Sequence, residues 1–173
     1  MNYSARNRNV AFGFICLLVL LLQACGTVQH AAKLETGYSP PSGAKVQLGE
    51  IKNSTGRVYD VDVEAMLTDA LTETLREQEM LAADTDGAIL LLDAEIVAYE
   101  KGDAFQRWLL PGLGPTVLEV HCELLDGNQV VGVADAKRTV DAGGAYTIGA
   151  WKGIYKDVAA DIVEDVGAQL IKK

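Results

Sequence analysis

The sequence predicts a single α+β domain: a two-layer sandwich in which two helices cover one face of a four-stranded, mostly antiparallel sheet. Three observations predict it. An amphipathic helical pattern follows the first strand, three further strands come in succession, and the chain closes on a long helix. The order strand–helix–strand–strand–strand–helix contains one helical crossover and then a meander, which is typical of two-layer α+β folds.

Both helices are predicted from apolar residues at helical spacing. Asp60 is a candidate N-cap for the first helix, which is expected to run to about Leu81. Its apolar residues fall on one face: Val63, Leu67, Ala70, Leu71 and Leu75. The closing helix begins near Ala150 and repeats an apolar residue every four positions, at Ile154, Val158, Ile162, Val166 and Leu170.

The four strands are predicted at Ala44–Asn53, Ala88–Glu100, Thr116–Leu125 and Gln129–Val140. The third alternates most clearly, and Asp126-Gly127-Asn128 provides a hairpin loop before the fourth. One face of the sheet is apolar. The other is expected to face solvent or a partner and carries Asp93, Glu95, Glu119, His121 and Glu123.

The N-terminus has the order of a signal peptide. A polar stretch with Arg6 and Arg8 precedes an apolar run, Val10–Leu22, and small residues follow. The run is shorter than the roughly 20 residues that a membrane-spanning helix needs. An uncleaved transmembrane anchor is the alternative.

The end of this segment, Leu22-Gln23-Ala24-Cys25, resembles the bacterial lipobox. The resemblance implies a diacylglycerol on the Cys25 thiol, cleavage after Ala24 and acylation of the new amino group. Several acyl chains would anchor the protein stably in a membrane. Gly26 stands where an aspartate commonly retains lipoproteins in the inner membrane, so the outer membrane is expected. The alternative is an ordinary signal peptide with a chance cysteine.

Three segments are therefore expected: a signal peptide over 1–24, a lipidated N-terminus with a flexible tether over 25–43, and a single domain over 44–173. Removal of 1–24 lowers Lys and Arg from 15 to 13 and leaves 24 acids, so the net charge becomes −11. Such a domain would repel nucleic-acid phosphates, and no nucleic-acid partner is expected. With Cys16 removed and Cys25 lipidated, Cys122 has no disulfide partner.

The segment Trp108-Leu109-Leu110-Pro111-Gly112-Leu113 joins two strands, yet it is strongly apolar where turn residues are ordinarily polar. One interpretation is an interaction tip formed by Trp108, Leu109, Leu110 and Leu113, because exposed apolar patches mark binding surfaces. The other is that the segment folds back and caps the core.

Catalytic and metal sites are not expected. Glu119, His121 and Glu123 share a strand face and offer ligand types for a divalent cation, but a solvated acidic face is the simpler interpretation. Cys122 points inward, away from His121, so it lacks a base on its own side. Gly143, Gly144 and Gly149 lack the spacing of a phosphate-binding loop and favour a flexible loop.

Short motifs in the domain resemble the bacterial lipoprotein family catalogued as domain of unknown function 4410. They are Arg107-Trp108, a turn with Gly112 and Gly114, a strand ending at Asp126, Gly143-Gly144, and the closing helix. Pro111 and Pro115 depart from the family's turn. The element order is also similar to that of small envelope domains in the curli-secretion lipoprotein and the Tol translocation system. The resemblance implies no activity and no cofactor.

The function expected from the sequence is that of a non-enzymatic, outer-membrane-anchored lipoprotein facing the periplasm, with the membrane and an envelope protein as partners. The alternative is a carrier that holds a small ligand or lipid between sheet and helices. A metal-binding protein or an enzyme is the third class. An apolar cavity of several hundred Å³ would favour the carrier.

Overall fold

The computed structural model describes residues 27–83, 87–110, 112–141 and 147–171. The strands are β1 (Val28–Leu34), β2 (Lys45–Asn53), β3 (Ile89–Glu100), β4 (Thr116–Asp126) and β5 (Gln129–Val140). The helices are α1 (Val63–Glu77), α2 (Ala104–Leu109) and α3 (Ala150–Ile171). The α+β class is confirmed. No helix among the described residues is long and apolar enough to cross a membrane.

The strands form one sheet in the order β1-β5-β4-β3-β2. β2 and β3 are parallel and joined through α1, and every other neighbouring pair is antiparallel. The predicted crossover and meander are therefore present. The predicted number of strands is wrong, because the sheet has five strands and not four.

The fifth strand, β1, lies in the segment that was expected to be a flexible tether. It pairs with β5 from Val28↔Arg138 to Leu34↔Gly132, so it satisfies backbone groups that would otherwise form an exposed edge of β5. The side chain of Gln169 donates a hydrogen bond to the Ala32 carbonyl at 2.9 Å. Only Ala32 and Leu34 of β1 pack against the core. The strand therefore shows little alternation of apolar and polar residues, and the sequence did not predict it.

The core lies between one face of the sheet and the two long helices, as predicted. Its largest side chains come from both layers: Leu67, Leu71, Leu75, Leu90, Leu92, Ile96, Tyr99, Leu118, Ile154, Tyr155 and Ile162. Because α1 and α3 both cover this face, the opposite face of the sheet is open.

The first helix differs from the prediction at both ends. Asp62, not Asp60, is the N-cap and accepts a hydrogen bond from the Ala65 amide at 2.9 Å. The helix ends at Glu77 rather than near Leu81, because Glu79 adopts a left-handed backbone with φ 56° and the chain then turns back to β2.

An ionic cluster fastens β1 to α3. His30 Nδ1 lies 2.8 Å from Asp165 Oδ2 and His30 Nε2 lies 3.9 Å from Asp161. Arg138 of β5 donates two hydrogen bonds of 2.6 Å to Asp161, which is buried. The hydrogen bond to the Asp165 carboxylate raises the pKa of His30 above its ordinary value, with smaller contributions from the charges of Asp161 and Asp165.

This cluster predicts a pH dependence for the docking of β1. Because the folded-state pKa of His30 is raised, its stabilising contribution is complete below about pH 6.5 and is lost as the pH rises through the raised pKa. Urea unfolding of the wild type and of His30→Gln, followed from pH 6 to pH 8.5, measures it. The stability difference between them should shrink as the pH rises, and a difference that grows would contradict the assignment.

Candidate functional site

The candidate site lies at the end of the sheet where β3 finishes and β4 starts. Residues 101–115 connect these strands, and part of this connection forms the short helix α2, which was not predicted from the sequence. Asp103 caps α2, because its Oδ1 accepts hydrogen bonds from the amides of Phe105 at 2.8 Å and Gln106 at 3.1 Å. Asp103 before a short apolar stretch is an N-cap signal, but six residues are too few to show the helical period that would identify the helix.

Arg107 holds the connection to the rest of the domain. Its side chain is 2% exposed, and Nη1 donates to the Gly114 carbonyl at 2.8 Å and to Thr116 Oγ1 at 2.9 Å. Nη2 donates to the Thr147 carbonyl at 3.2 Å, just before α3. No carboxylate among the described residues pairs with this guanidinium, so carbonyl and hydroxyl oxygens carry its hydrogen bonds.

The close packing around Arg107 extends to Gly102, which has a φ of 68°. A Cβ at this position would lie within 2.5 Å of both Arg107 Nη1 and the Pro115 carbonyl oxygen. The turn therefore needs glycine both for its left-handed backbone and for the space beside the guanidinium. Sequence reasoning noted Arg107 only as part of a motif, because a buried arginine cannot be recognised without the fold.

The apolar side chains of this segment point outward. We call Phe105, Trp108, Leu109, Leu110 and Leu113 the apolar tip. Trp108 is 63% exposed, the other four are at least half exposed, and the rings of Phe105 and Trp108 lie 5.8 Å apart. The core-capping alternative requires a buried Trp108, which the structure does not have. Phe105 joins the four residues named from the sequence because α2 brings it beside Trp108.

The acidic residues predicted on the open face of the sheet do lie there together. β3 and β4 place Asp93 opposite Glu123 and Glu95 opposite His121. They border a solvent-open depression of about 300 Å³, completed by Glu50 and Lys52 of β2.

Neighbouring residues satisfy most of the polar groups on this face. Lys137 Nζ donates to Glu119 at 2.7 Å, and His121 Nδ1 lies 2.7 Å from Asp135. Asp93 accepts a hydrogen bond from the Glu50 amide at 2.7 Å. No group of three or more potential metal ligands comes together within the part of the chain that the structure describes. The partners from β5 were not predicted from the sequence.

Cys122 lies in the core, on the face opposite His121, as expected. Burial raises the pKa of its thiol to about 12. At neutral pH the thiol is therefore protonated and unsuited to nucleophilic attack.

A small apolar cavity lies between the sheet and α3. The cavity lined by Leu34, Leu92, Leu124 and Val166 has a volume of about 10 Å³. This is room for about one water molecule and not for a small ligand or lipid. The predicted lipidation and cleavage residues, Cys25 and Ala24, lie outside the described residues, as do Pro111, Gly143 and Gly144.

Comparison with known families gives a match over residues 56–144 to a family described as domain of unknown function (DUF4410). The chain belongs to this family. The resemblance seen in the motifs is therefore confirmed. No curated protein matches the sequence.

Solved structures share the fold. Two crystal forms of the PelC dodecamer from Paraburkholderia phytofirmans, one with a single substitution, match with TM-scores of 0.55 and 0.54. Their sequence identities are 18% and 20%, and each match covers 85% of this chain and 99% of the other. A protein of Xanthomonas campestris assigned to DUF330 matches with 14% identity and a TM-score of 0.48, over 84% of this chain and 93% of its own.

Two substitutions at adjacent positions should differ strongly in their effect on stability. Arg107→Lys leaves buried carbonyls unpaired and should lower the free energy of unfolding by about 2–3 kcal/mol. Trp108→Ala removes an exposed side chain and should change it by no more than about 0.5 kcal/mol. Urea denaturation measures both. A loss of about 3–5 kcal/mol for Trp108→Ala, as for a core side chain, would show that the tip is buried.

Proposed function

We propose that this protein is an outer-membrane lipoprotein that faces the periplasm and acts by binding rather than by catalysis, with the apolar tip as its binding surface. One observation carries the proposal. The tip exposes five large apolar side chains on a connection that Asp103 and Arg107 fix in place. Large exposed apolar patches mark surfaces that another molecule covers, so we expect a component of the envelope to cover this one.

Several further features support binding over chemistry. The thiol of Cys122 is buried and protonated. The histidine and acids of the open face mostly bond with neighbours on that face. The cavity of about 10 Å³ between the sheet and α3 is too small for the ligand of a carrier. These features favour an accessory or assembly protein of the envelope, anchored through Cys25.

Self-association is part of this proposal. The two PelC structures that share this fold are dodecamers. This chain aligns with 99% of the PelC chain in each. We propose that the present chain also forms a homo-oligomer. Native mass spectrometry of the lipidated protein, extracted in mild detergent, would show assemblies of defined size. A monomer at every concentration would contradict this part of the proposal.

The anchor is tested at Cys25. Cys25→Ser removes the thiol that would carry the diacylglycerol, so the protein should remain uncleaved or lose its lipid. Intact-mass spectrometry and membrane fractionation measure this, and Cys122→Ser is the matched control that keeps the lipobox. If wild type and Cys25→Ser share one lipid-free mature N-terminus, the anchoring proposal is wrong.

The binding surface is tested by photo-crosslinking in living cells. A benzophenone amino acid replaces Trp108 in the full chain, and Ile171, which is also exposed but lies at the far end of α3, is the control position. Light should produce adducts, to protein or to lipid, at position 108 and far fewer at position 171. Equal or absent crosslinking at the two positions would contradict the assignment of the tip as the binding surface.

A further inference from the structure

Resting on the proposed lipid anchor, we infer that the apolar tip contacts the lipid bilayer itself. The end of the domain that carries the tip would lie against the same membrane that holds Cys25, and the tip would be a second point of insertion. The register of the sheet, the reach of the N-terminal chain and the distribution of exposed apolar residues carry this inference.

The register places the tip and the start of β1 at one end of the sheet. β5 ends at this end, and its Thr139 amide donates to the Thr27 carbonyl at 3.0 Å. One residue further, Val140 pairs with Thr116, where β4 begins directly after the tip. The Gly112 amide also donates to the Asp141 carbonyl at 3.2 Å, so the tip and the N-terminal strand flank the same end of β5.

The chain between Cys25 and the sheet is short. Two peptide steps join Cys25 to Thr27, which corresponds to at most about 7 Å. Because β1 and β4 flank β5, the two strands lie about 10 Å apart across the sheet. A free tether over residues 26–43 would have let the domain turn in any direction. With β1 in the sheet, lipid on Cys25 must lie close to the tip.

Exposed apolar side chains concentrate at this end of the domain. Val28 begins β1, Val58 follows β2 and Ile148 precedes α3, so all three lie at the end where the tip lies. Together with the tip, they make up eight of the eleven large apolar residues that are exposed among the described positions. The far end carries only Ile89 and Ile171 of this set, and Val97 lies on the open face of the sheet.

The chemistry of this end suits a bilayer surface. Tryptophan prefers the membrane–water boundary, and leucine and phenylalanine beside it can enter the acyl region. Lys152 Nζ lies 5.1 Å from the centre of the Trp151 ring, where it can meet lipid phosphates.

Local pairing also reduces the repulsion that an acidic domain would otherwise feel at this surface. Glu100 bonds with Arg57 at 2.7 Å and Asp60 bonds with Lys101 at 2.6 Å. The acidic side chains of the open sheet face lie along the side of the domain and not at the tip.

The two tryptophans of the chain allow a direct test. Trp151→Phe leaves Trp108 as the only tryptophan in the full-length lipidated protein. The protein is reconstituted into vesicles of phosphatidylethanolamine and phosphatidylglycerol, with or without brominated acyl chains. Contact with the bilayer should shift Trp108 emission to shorter wavelength, and bromine should lower its intensity by about twofold.

Matched variants assign the effect to the tip. On the Trp151→Phe background, Leu113→Asp introduces a charge into the tip and should abolish most of the quenching. Ile171→Asp introduces the same charge on an exposed apolar residue at the far end and should leave the quenching unchanged. Circular dichroism spectra of both variants test whether they remain folded.

Each outcome decides between the alternatives. Trp108 emission that stays unshifted and unquenched in the vesicle-bound protein overturns the inference while leaving the lipid anchor intact. If Trp108 emission shifts to shorter wavelength only when envelope proteins are added, the partner of the tip is a protein. This result also overturns the inference. A chain that carries no lipid and does not float with the vesicles overturns the proposed anchor, and this inference with it.

Discussion

The architecture depends on the burial of one face of the sheet beneath α1 and α3. Leu67 and Leu71 of α1 and Ile154 and Ile162 of α3 lie in this core, where α1 packs against β2 and α3 against β1, β4 and β5. Because both helices occupy the same face, every connection between elements falls at one of the two ends of the sheet. The open face and the two ends are therefore the surfaces of the sheet that the helices leave free.

The open face and the end that carries the tip differ in whether their exposed side chains have bonding partners within the domain. On the open face, pairs such as Glu119 with Lys137 and His121 with Asp135 bond to each other and need no outside partner. At the end bearing the tip, the polar groups of Arg107 and Asp103 are turned inward to fix the backbone, and apolar groups are left outside. This difference is why the proposed binding surface is the fixed and exposed apolar tip and not the charged face, whose groups mostly pair with each other.

The parts of the fold that could be predicted are those with strong periodicity over many residues. The alternation in β4 and the four-residue spacing in α3 are clear because each element packs one full face on the core. β1 could not be predicted because it is an edge strand that buries little and is held by its backbone and by His30. α2 could not be predicted because six residues are too few to show a helical period and its apolar side chains face outward.

The same distinction holds for the candidate site. Trp108, Leu109, Leu110 and Leu113 could be named from the sequence because apolar residues are unusual in a connection. The role of Arg107 could not, since its three acceptors lie on Gly114, Thr116 and Thr147 and meet only in the fold. The alignment of the tip with the start of β1 likewise depends on the pairing of β1 with β5, which no local pattern encodes.

If one end of this domain rests on the membrane that would hold Cys25, the two ends should differ in their contact with lipid. Power-saturation spectroscopy of nitroxide labels on Leu109→Cys and Ile171→Cys in the lipidated, vesicle-bound protein measures this difference. The label at position 109 should collide more with dissolved oxygen than with a water-soluble nickel complex, and the label at position 171 should do the reverse. Equal access of the nickel complex to both labels would contradict the inference.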